Sequence, residues 1–480
     1  MKEETIDEET DFHLRLRARS ALDMPPALDT TFMNINPLKK GTDMKPKLQT
    51  WRSIAILAIL LAIPAGVRAD VVADWNAIAV QATLTAGTAG TAGRPTPTGV
   101  IDIAMVHAAV YDAVQAIERR YEPYYVEIPG ASGSPVVATA KAARDVLVSR
   151  FPAQVAFLDM TYQQYLLNHG LSETDPGVAV GARAAAGIIA LRACDGSFPN
   201  PAPPPFFGST DPGVWRPTLP NNAAMLAPWL GNVTPFILTR PSQFRAAPPP
   251  ALNSRRYARD YNEVKAVGAL NNSSRTPEQT DLAHFFAGNT LVIWNRALRD
   301  IAVAHVDNVA DSARLFALAD LAIADALITS WNDKTHYVFW RPITAIREGD
   351  NDGNPRTAGD PDWLSLIINP PYPDYTSGAV NFATATTRTL EHFFGTDHMT
   401  FSVTTTNVGP TVEDTRTYRR FSHAAQDVVD ARVYSGIHFR FADEAAQKQG
   451  RQVADWAFRN FLRPLNNDGD DGWSSVTGSE

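Results

Sequence analysis

The sequence predicts an all-α protein: two packed helical bundles with long proline-rich connecting loops. Three observations predict it. Apolar residues recur at helical spacing in one segment after another. Alternating strand patterns of any length are missing. The 35 prolines of the 480 residues fall largely between the periodic segments, where they punctuate helices. At roughly 100–200 residues per domain, the length suggests about two to four domains or one large helical assembly. Hydrophobic residues make up 45% of the chain, enough for a sizeable core.

The same numbers exclude several classes. A collagen, a coiled-coil rod and a multi-span membrane protein do not fit. The net charge of −8 argues against a general nucleic-acid binder, which should carry a basic excess. Cys194 is the only cysteine, so neither an intrachain disulfide nor a cysteine zinc cluster can form.

The first residues read as a leader rather than as fold. Residues 1–43 are polar and without clear periodicity, as in a disordered extension or a misassigned start. From Met44 the pattern becomes that of a signal peptide over 44–69. Lys45, Lys47 and Arg52 give a positive start, and Ile54 to Ile63 is an unbroken apolar run. Val67 and Ala69 place small residues where a signal peptidase cuts, before Asp70. The run falls short of the roughly 20 residues of a spanning helix. The expectation is export to the periplasm or the exterior, with no stable membrane span after cleavage.

Residues 70–250 read as an N-terminal helical region ending in a proline-rich wrapping segment. Helices are expected over Asp70–Leu84, Ile101–Arg119, Pro135–Arg150, Gln154–Leu167 and Gly177–Ala193. From Phe198 to Pro250, prolines and aromatics replace charge, which suggests a segment that wraps the helices and walls a pocket. Residues 251–465 read as a second bundle. Its helices are expected over Ser254–Gly268, Thr276–Phe286, Asn289–Val309, Asp311–Trp331, Gly378–Phe394, Thr415–Tyr434 and Asp443–Phe461. Thr276-Pro277 has the form of a helix start. Residues 466–480 are Asp/Gly/Ser-rich and expected to be a flexible tail.

Three clusters in the second bundle carry chemistry. Lys334 and Arg341 are seven residues apart; on one helix they would project from nearly one face, roughly 10 Å apart. Pro342 ends that helix. Two cations so placed can grip an oxyanion, although a helix C-terminus also favours plain surface cations. The second cluster is Pro370-Pro-Tyr-Pro-Asp-Tyr-Thr-Ser377-Gly378. It enters a helix through residues whose hydroxyl and free N–H groups suit either an anion or an ordinary cap. The third is Arg432-Val-Tyr-Ser-Gly-Ile-His438, followed by Phe-Arg-Phe-Ala-Asp443. It places a histidine in the break between two helices.

Together, in this order, the clusters resemble the vanadium-dependent haloperoxidases and their relatives, the type-2 phosphatidic acid phosphatases and bacterial acid phosphatases. The shared pattern is K-x6-R-P, then P-S-G-H, then S-R-x5-H-x3-D. Here it reads Lys334-x6-Arg341-Pro342, Thr376-Ser377-Gly378-Ala379 and Ala431-Arg432-x5-His438. The likeness is greatest to the secreted bacterial haloperoxidase-like branch, and a weaker likeness reaches upstream through Trp215. It implies that His438 is the ligand of a vanadate, or the nucleophile toward a phosphoryl group. Lys334, Arg341 and Arg432 would neutralise the oxygens, with Ser377 and Gly378 completing the cradle. Lys334 would polarise hydrogen peroxide before halide attacks it.

Two departures bear on activity. The family's acid–base histidine is Ala379 here, which weakens proton transfer worth typically 10²–10⁴-fold. His336 is the first substitute to consider. His423 should face away, and His392 and His398 lie too far along. The acid expected four residues after His438 is Ala442, with Asp443 one later as the group that would orient the ring. The resulting expectation is a haloperoxidase using hydrogen peroxide and halide, with bromide or iodide favoured over chloride. The alternatives are an exported acid phosphatase acting on a small phosphoester, and a phosphate- or vanadate-binding protein without turnover.

Overall fold

A buried 29-residue helix, α9 (Val309–Tyr337), is the spine on which the other elements pack. In the computed structural model the described residues are 70–85, 93–405 and 413–465. The expected leader (1–43), signal peptide (44–69) and flexible tail (466–480) lie outside them. The fold is all-α apart from one hairpin.

Five helices precede the proline-rich segment: α1 (Val71–Leu84), α2 (Thr96–Glu118), α3 (Pro135–Arg150), α4 (Val155–Asn168) and α5 (Gly177–Arg192). Asp70 caps α1 by accepting from the N–H groups of Val72 and Ala73. Helix α2 is long and apolar enough to cross a membrane, but it is a core helix packed against α9, α3 and α5. The second half contributes α6 (Arg255–Val267), α7 (Pro277–Phe285), α8 (Thr290–His305), α9, α10 (Pro342–Arg347), α11 (Gly378–Phe394), α12 (Phe421–Tyr434) and α13 (Arg440–Asn460). Thr276 and Gln279 form a capping box at α7. One apolar core runs from α1 through α9 to α13, and residue 250 falls in the connection between α5 and α6. A second cluster, including Tyr257, Phe339, Trp340, Phe439 and Phe441, packs beside the functional residues.

The proline-rich segment is strapped to the spine by side chains of α9. Asp325 accepts from the N–H groups of Phe236, Ile237 and Leu238 at 2.7–2.8 Å. Asp333 accepts from Ala246 N–H at 3.1 Å. Burial raises both carboxyls to about 6, against the opposing effect of these bonds. Residues 243–248 and Pro250 wall a cleft with Tyr375 and Phe441, separate from the apolar chamber described below.

Two expectations need correction. Residues 415–420 are not helical. Strands β1 (His398–Thr405) and β2 (Asp414–Arg420) pair antiparallel, with Phe401 opposite Tyr418 and Thr404 opposite Thr415. The alternation is short and Thr-rich, with Phe401, Val403 and Thr405 turned inward, so helical spacing in the following segment masked it. The second correction concerns Lys334 and Arg341. Helix α9 ends at Tyr337, where Val338 adopts φ 46°. Arg341 therefore arrives on an extended stretch as the residue before α10, not two turns along the helix of Lys334.

Candidate active site: a cradle of buried cations around His438

Four chain segments deliver the three cations and the histidine. Lys334 comes from the last turn of α9. Arg341 comes from the stretch held against the proline-rich segment, where Trp340 N–H donates to Gly213 O at 3.0 Å. Arg432 comes from the last turn of α12. His438 follows the tight turn between α12 and α13. That turn needs Gly436: its φ is +77°, and a Cβ there would collide with the Gly268 carbonyl.

The three cations are buried and held mainly by neutral acceptors. Lys334 Nζ donates to the carbonyls of Pro373 and Asp374 at 2.8 and 3.0 Å. Arg341 donates from Nε to Tyr372 O at 2.8 Å and from Nη1 to Ile437 O at 2.7 Å. Arg432 Nη1 donates to Phe286 O at 2.9 Å. A carbonyl fixes a cation without cancelling its charge, so the positive field stays available. Burial lowers the pKa of all three, and the Arg341 charge adds to that effect on Lys334 and Arg432.

His438 lies at the centre of this field. Its Nε2 is 3.1 Å from Arg341 Nη1. A guanidinium can only donate, so Nε2 faces it with a lone pair. The ring proton is then assigned to Nδ1, which lies 2.7 Å from Asp374 Oδ1 in a close contact that does not meet hydrogen-bond geometry. Burial drives the ring pKa well below its usual value, and Arg341, Lys334 and Arg432 drive it further. The imidazole is thus neutral with its lone pair toward the cations. Asp374 is itself pushed up to about 7 by burial, against the opposing pull of Arg341 and Lys334.

Asp443 was expected to orient the histidine; the carboxyl that stands beside the ring Nδ1 is that of Asp374. Asp443 sits in the first turn of α13, and its carboxyl faces the Ser377 hydroxyl without meeting hydrogen-bond geometry. Burial raises its pKa well above the carboxylate range. The neighbouring Ala442 carbonyl accepts from Ser377 N–H at 3.3 Å. This part of α13 therefore supports the Ser377 loop. Asp374 and Tyr372 were both visible in the Pro370–Ser377 motif, but only their turn propensity was legible there. The Phe286 carbonyl had no sequence signal.

Ser377 starts α11 without using its hydroxyl as a cap. The helix N-terminus thus presents a free hydroxyl and free N–H groups, including that of Gly378. Gly378 also lets this helix approach Trp331, whose ring would lie 3.1 Å from an added Cβ. Arg341 Nη2, Arg432 Nε and Ser377 Oγ are buried without hydrogen-bond partners. Each such atom costs about 1–3 kcal/mol when left unpaired. An acceptor placed among them would satisfy these donors.

Beside the cradle is an apolar chamber of about 230 Å³, with Leu327, Trp331, Phe382 and Ile437 in its wall and Gly378, Ala379, Tyr372 and Arg432 facing it. His336 is not there. It is exposed at the end of α9, edge-on to Tyr337. His423 and His398 are exposed, and His392 pairs with Asp455 at 2.6 Å.

Fold and site together define a helical protein with a buried, cation-rich pocket around a histidine. Residues 314–467 match the family model of the VCPO second helical-bundle domain. The chain is 27% identical to the vanadium chloroperoxidase of Curvularia inaequalis, over 67% of this chain and 65% of that protein. The match thus spans slightly less than two thirds of that relative's length. A bacterial vanadium-dependent iodoperoxidase superposes with a TM-score of 0.68 at 22% identity, covering 83% of this chain and 97% of the other. A holo-type bacterial vanadium-dependent chloroperoxidase gives 0.63 at 19% identity, covering 76% and 91%. The chain has the vanadium haloperoxidase fold and carries a vanadium chloroperoxidase-type second helical bundle.

Proposed function

We propose that this protein is a vanadate-dependent haloperoxidase that oxidises halide with hydrogen peroxide. The observation that carries the reading is the cradle itself. Three buried cations are held by carbonyls, each keeps an unused donor, and a neutral histidine turns its lone pair toward the same space. Vanadate is an oxyanion with an electrophilic centre, and that donor set suits both features. His438 would be its ligand; Lys334, Arg341, Arg432, Ser377 and Gly378 would hold its oxygens. Bound there, vanadate would supply the centre at which peroxide becomes an oxidant.

The protein's part is electrostatic and positional. Lys334, fixed by two carbonyls, offers its remaining N–H to a peroxide oxygen and draws charge from it. Arg341 and Arg432 offset negative charge that grows as halide attacks, in a site where burial strengthens each interaction. Asp374 keeps the His438 ring turned so that Nε2 faces inward. The absence of a histidine at Ala379 favours the easier halides, bromide and iodide, over chloride.

The test is turnover of bromide and peroxide with and without vanadate, beside a phosphomonoester. Bromination that depends on vanadate is the expected result. Phosphate release inhibited by vanadate would instead identify a phosphatase in which His438 takes the phosphoryl group. Tight vanadate binding with neither activity would leave an anion-binding protein. Export is part of the proposal, supported by the positive, apolar and small-residue pattern of 44–69. A mature N-terminus at Asp70 in protein secreted by an expressing bacterium is expected. Recovery of the uncut chain in the cytoplasm would refute export.

A further inference from the structure

A haloperoxidase must move protons, and position 379 offers none. Among the chamber's lining residues, Tyr372 and Arg432 are the titratable ones. A guanidinium does not release its proton in proteins, so the phenol is the exchangeable group. Tyr372 also reaches the cradle. Its ring centroid is 5.1 Å from Lys334 Nζ, 4.9 Å from Arg341 Cζ and 4.8 Å from the Trp331 ring. Its backbone carbonyl accepts from Arg341 Nε, which fixes the residue where it stands. The phenol oxygen also acts on Arg341 and Arg432, raising the pKa of each against the effect of burial.

Resting on the proposed function, we propose that Tyr372 is the acid–base residue of this site, in the role that position 379 cannot fill. Its O–H gives a proton to the oxygen that departs as water. The phenolate, facing Arg341 and Arg432, takes a proton back from the entering hydrogen peroxide. Over the reaction, one halide, one hydrogen peroxide and one proton from solvent give hypohalous acid and water. The O–O bond breaks and an O–halogen bond forms. Halide is oxidised, peroxide oxygen is reduced, and Tyr372 ends unchanged.

The experiment uses the full chain with Tyr372→Phe, Ala379→His and the double variant. Phosphate is the binding probe, read by calorimetry and by the tyrosine difference absorption spectrum. In the parent, phosphate should perturb a tyrosine, and Tyr372→Phe should abolish that change while keeping phosphate affinity within about threefold. Loss of a hydroxyl beside a cradle that keeps its charges requires no more. Bromide turnover should fall about 10²-fold or more, in kcat rather than in the halide KM. The double variant should recover at least tenfold of that loss, because the new imidazole faces the same chamber. Tyr372→Phe with parental kcat overturns the inference, as does a phosphate-induced tyrosine change that survives the substitution. Loss of phosphate affinity along with activity also overturns it, by making the residue structural. A parent that binds phosphate with the tyrosine signature but brominates nothing fails the haloperoxidase reading instead.

Discussion

Two buried histidines among the described residues have lost their charge to burial, yet only one marks a site. His107 on α2 is pushed down to about 3 by burial, with a smaller effect from Arg299. Its Nε2 lies 2.9 Å from Asn76 Nδ2 and 3.6 Å from Asp320, and its ring stacks on Phe316 at 5.0 Å. Asn76 in turn contacts Asn295 and Arg299 at 2.7 and 2.8 Å. Around His107 the hydrogen-bond partners are amides, and one guanidinium stands near one carboxyl. Around His438 three cations lean on carbonyls, and both nearby carboxyls, Asp374 and Asp443, are pushed toward their neutral forms. Burial and a displaced pKa are common to both clusters. An excess of positive charge belongs to one.

The comparison breaks most sharply at Arg341. Arg341→Ala removes a buried charge whose carbonyl partners stay in place. Phosphate affinity should fall by about 2–5 kcal/mol, roughly 30-fold to several thousand-fold. Calorimetry on protein shown to be folded by its thermal transition checks this. Affinity within threefold of the parent would mean that the cradle is not where the anion binds.

His107→Ala should do the reverse. It strands Asn76 and Asp320 and opens a cavity against Phe316, which costs about 2–4 kcal/mol of stability in urea unfolding. Phosphate affinity should stay within twofold. A large loss of affinity in this variant would show that the two clusters are coupled through α9, which packs against both α2 and α11.

How much of this contrast the sequence could carry depends on range. Helix spacing and caps are local, so most helices, the breaker at Ser435-Gly436 and the Ser377 helix start were legible. The order of Lys334, Arg341, Ser377, Gly378, Arg432 and His438 was legible too, through the spacing of motifs. What was not legible is tertiary. The sequence spacing put Lys334 and Arg341 on one helix, whereas Val338 breaks it and the proline-rich segment repositions Arg341. The pairing of His438 with Asp374 joins residues 64 positions apart, while the nearer Asp443 is turned toward Ser377 by the start of α13. The hairpin was hidden because two short Thr-rich strands stabilise each other across β1 and β2, and neither has a strong pattern alone.

The mildest test uses Asp374, where the two clusters differ in how a carboxyl meets its histidine. Its folded pKa is about 7, against a usual 3.8, because burial opposes the charged form. Above pH 7 the carboxylate ionises among the cations and competes with a bound oxyanion; below pH 7 it is neutral and does not. Anion affinity should therefore fall as pH rises through 7, by no more than tenfold per unit for one linked proton. The same shift acts on folding. Between about 4 and 7 the native state holds a proton that the unfolded chain has released, so this group's contribution to stability declines as pH rises across that window. Asp374→Asn keeps an oxygen beside Nδ1 and removes the titration. Phosphate affinity measured from pH 6 to 8 should flatten in the variant, after correction for the probe's own ionisation, and exceed the parent's by about three- to tenfold at the alkaline end. A parental slope in Asp374→Asn would assign the linkage to Lys334, whose pKa is also displaced downward and whose deprotonation acts in the same direction.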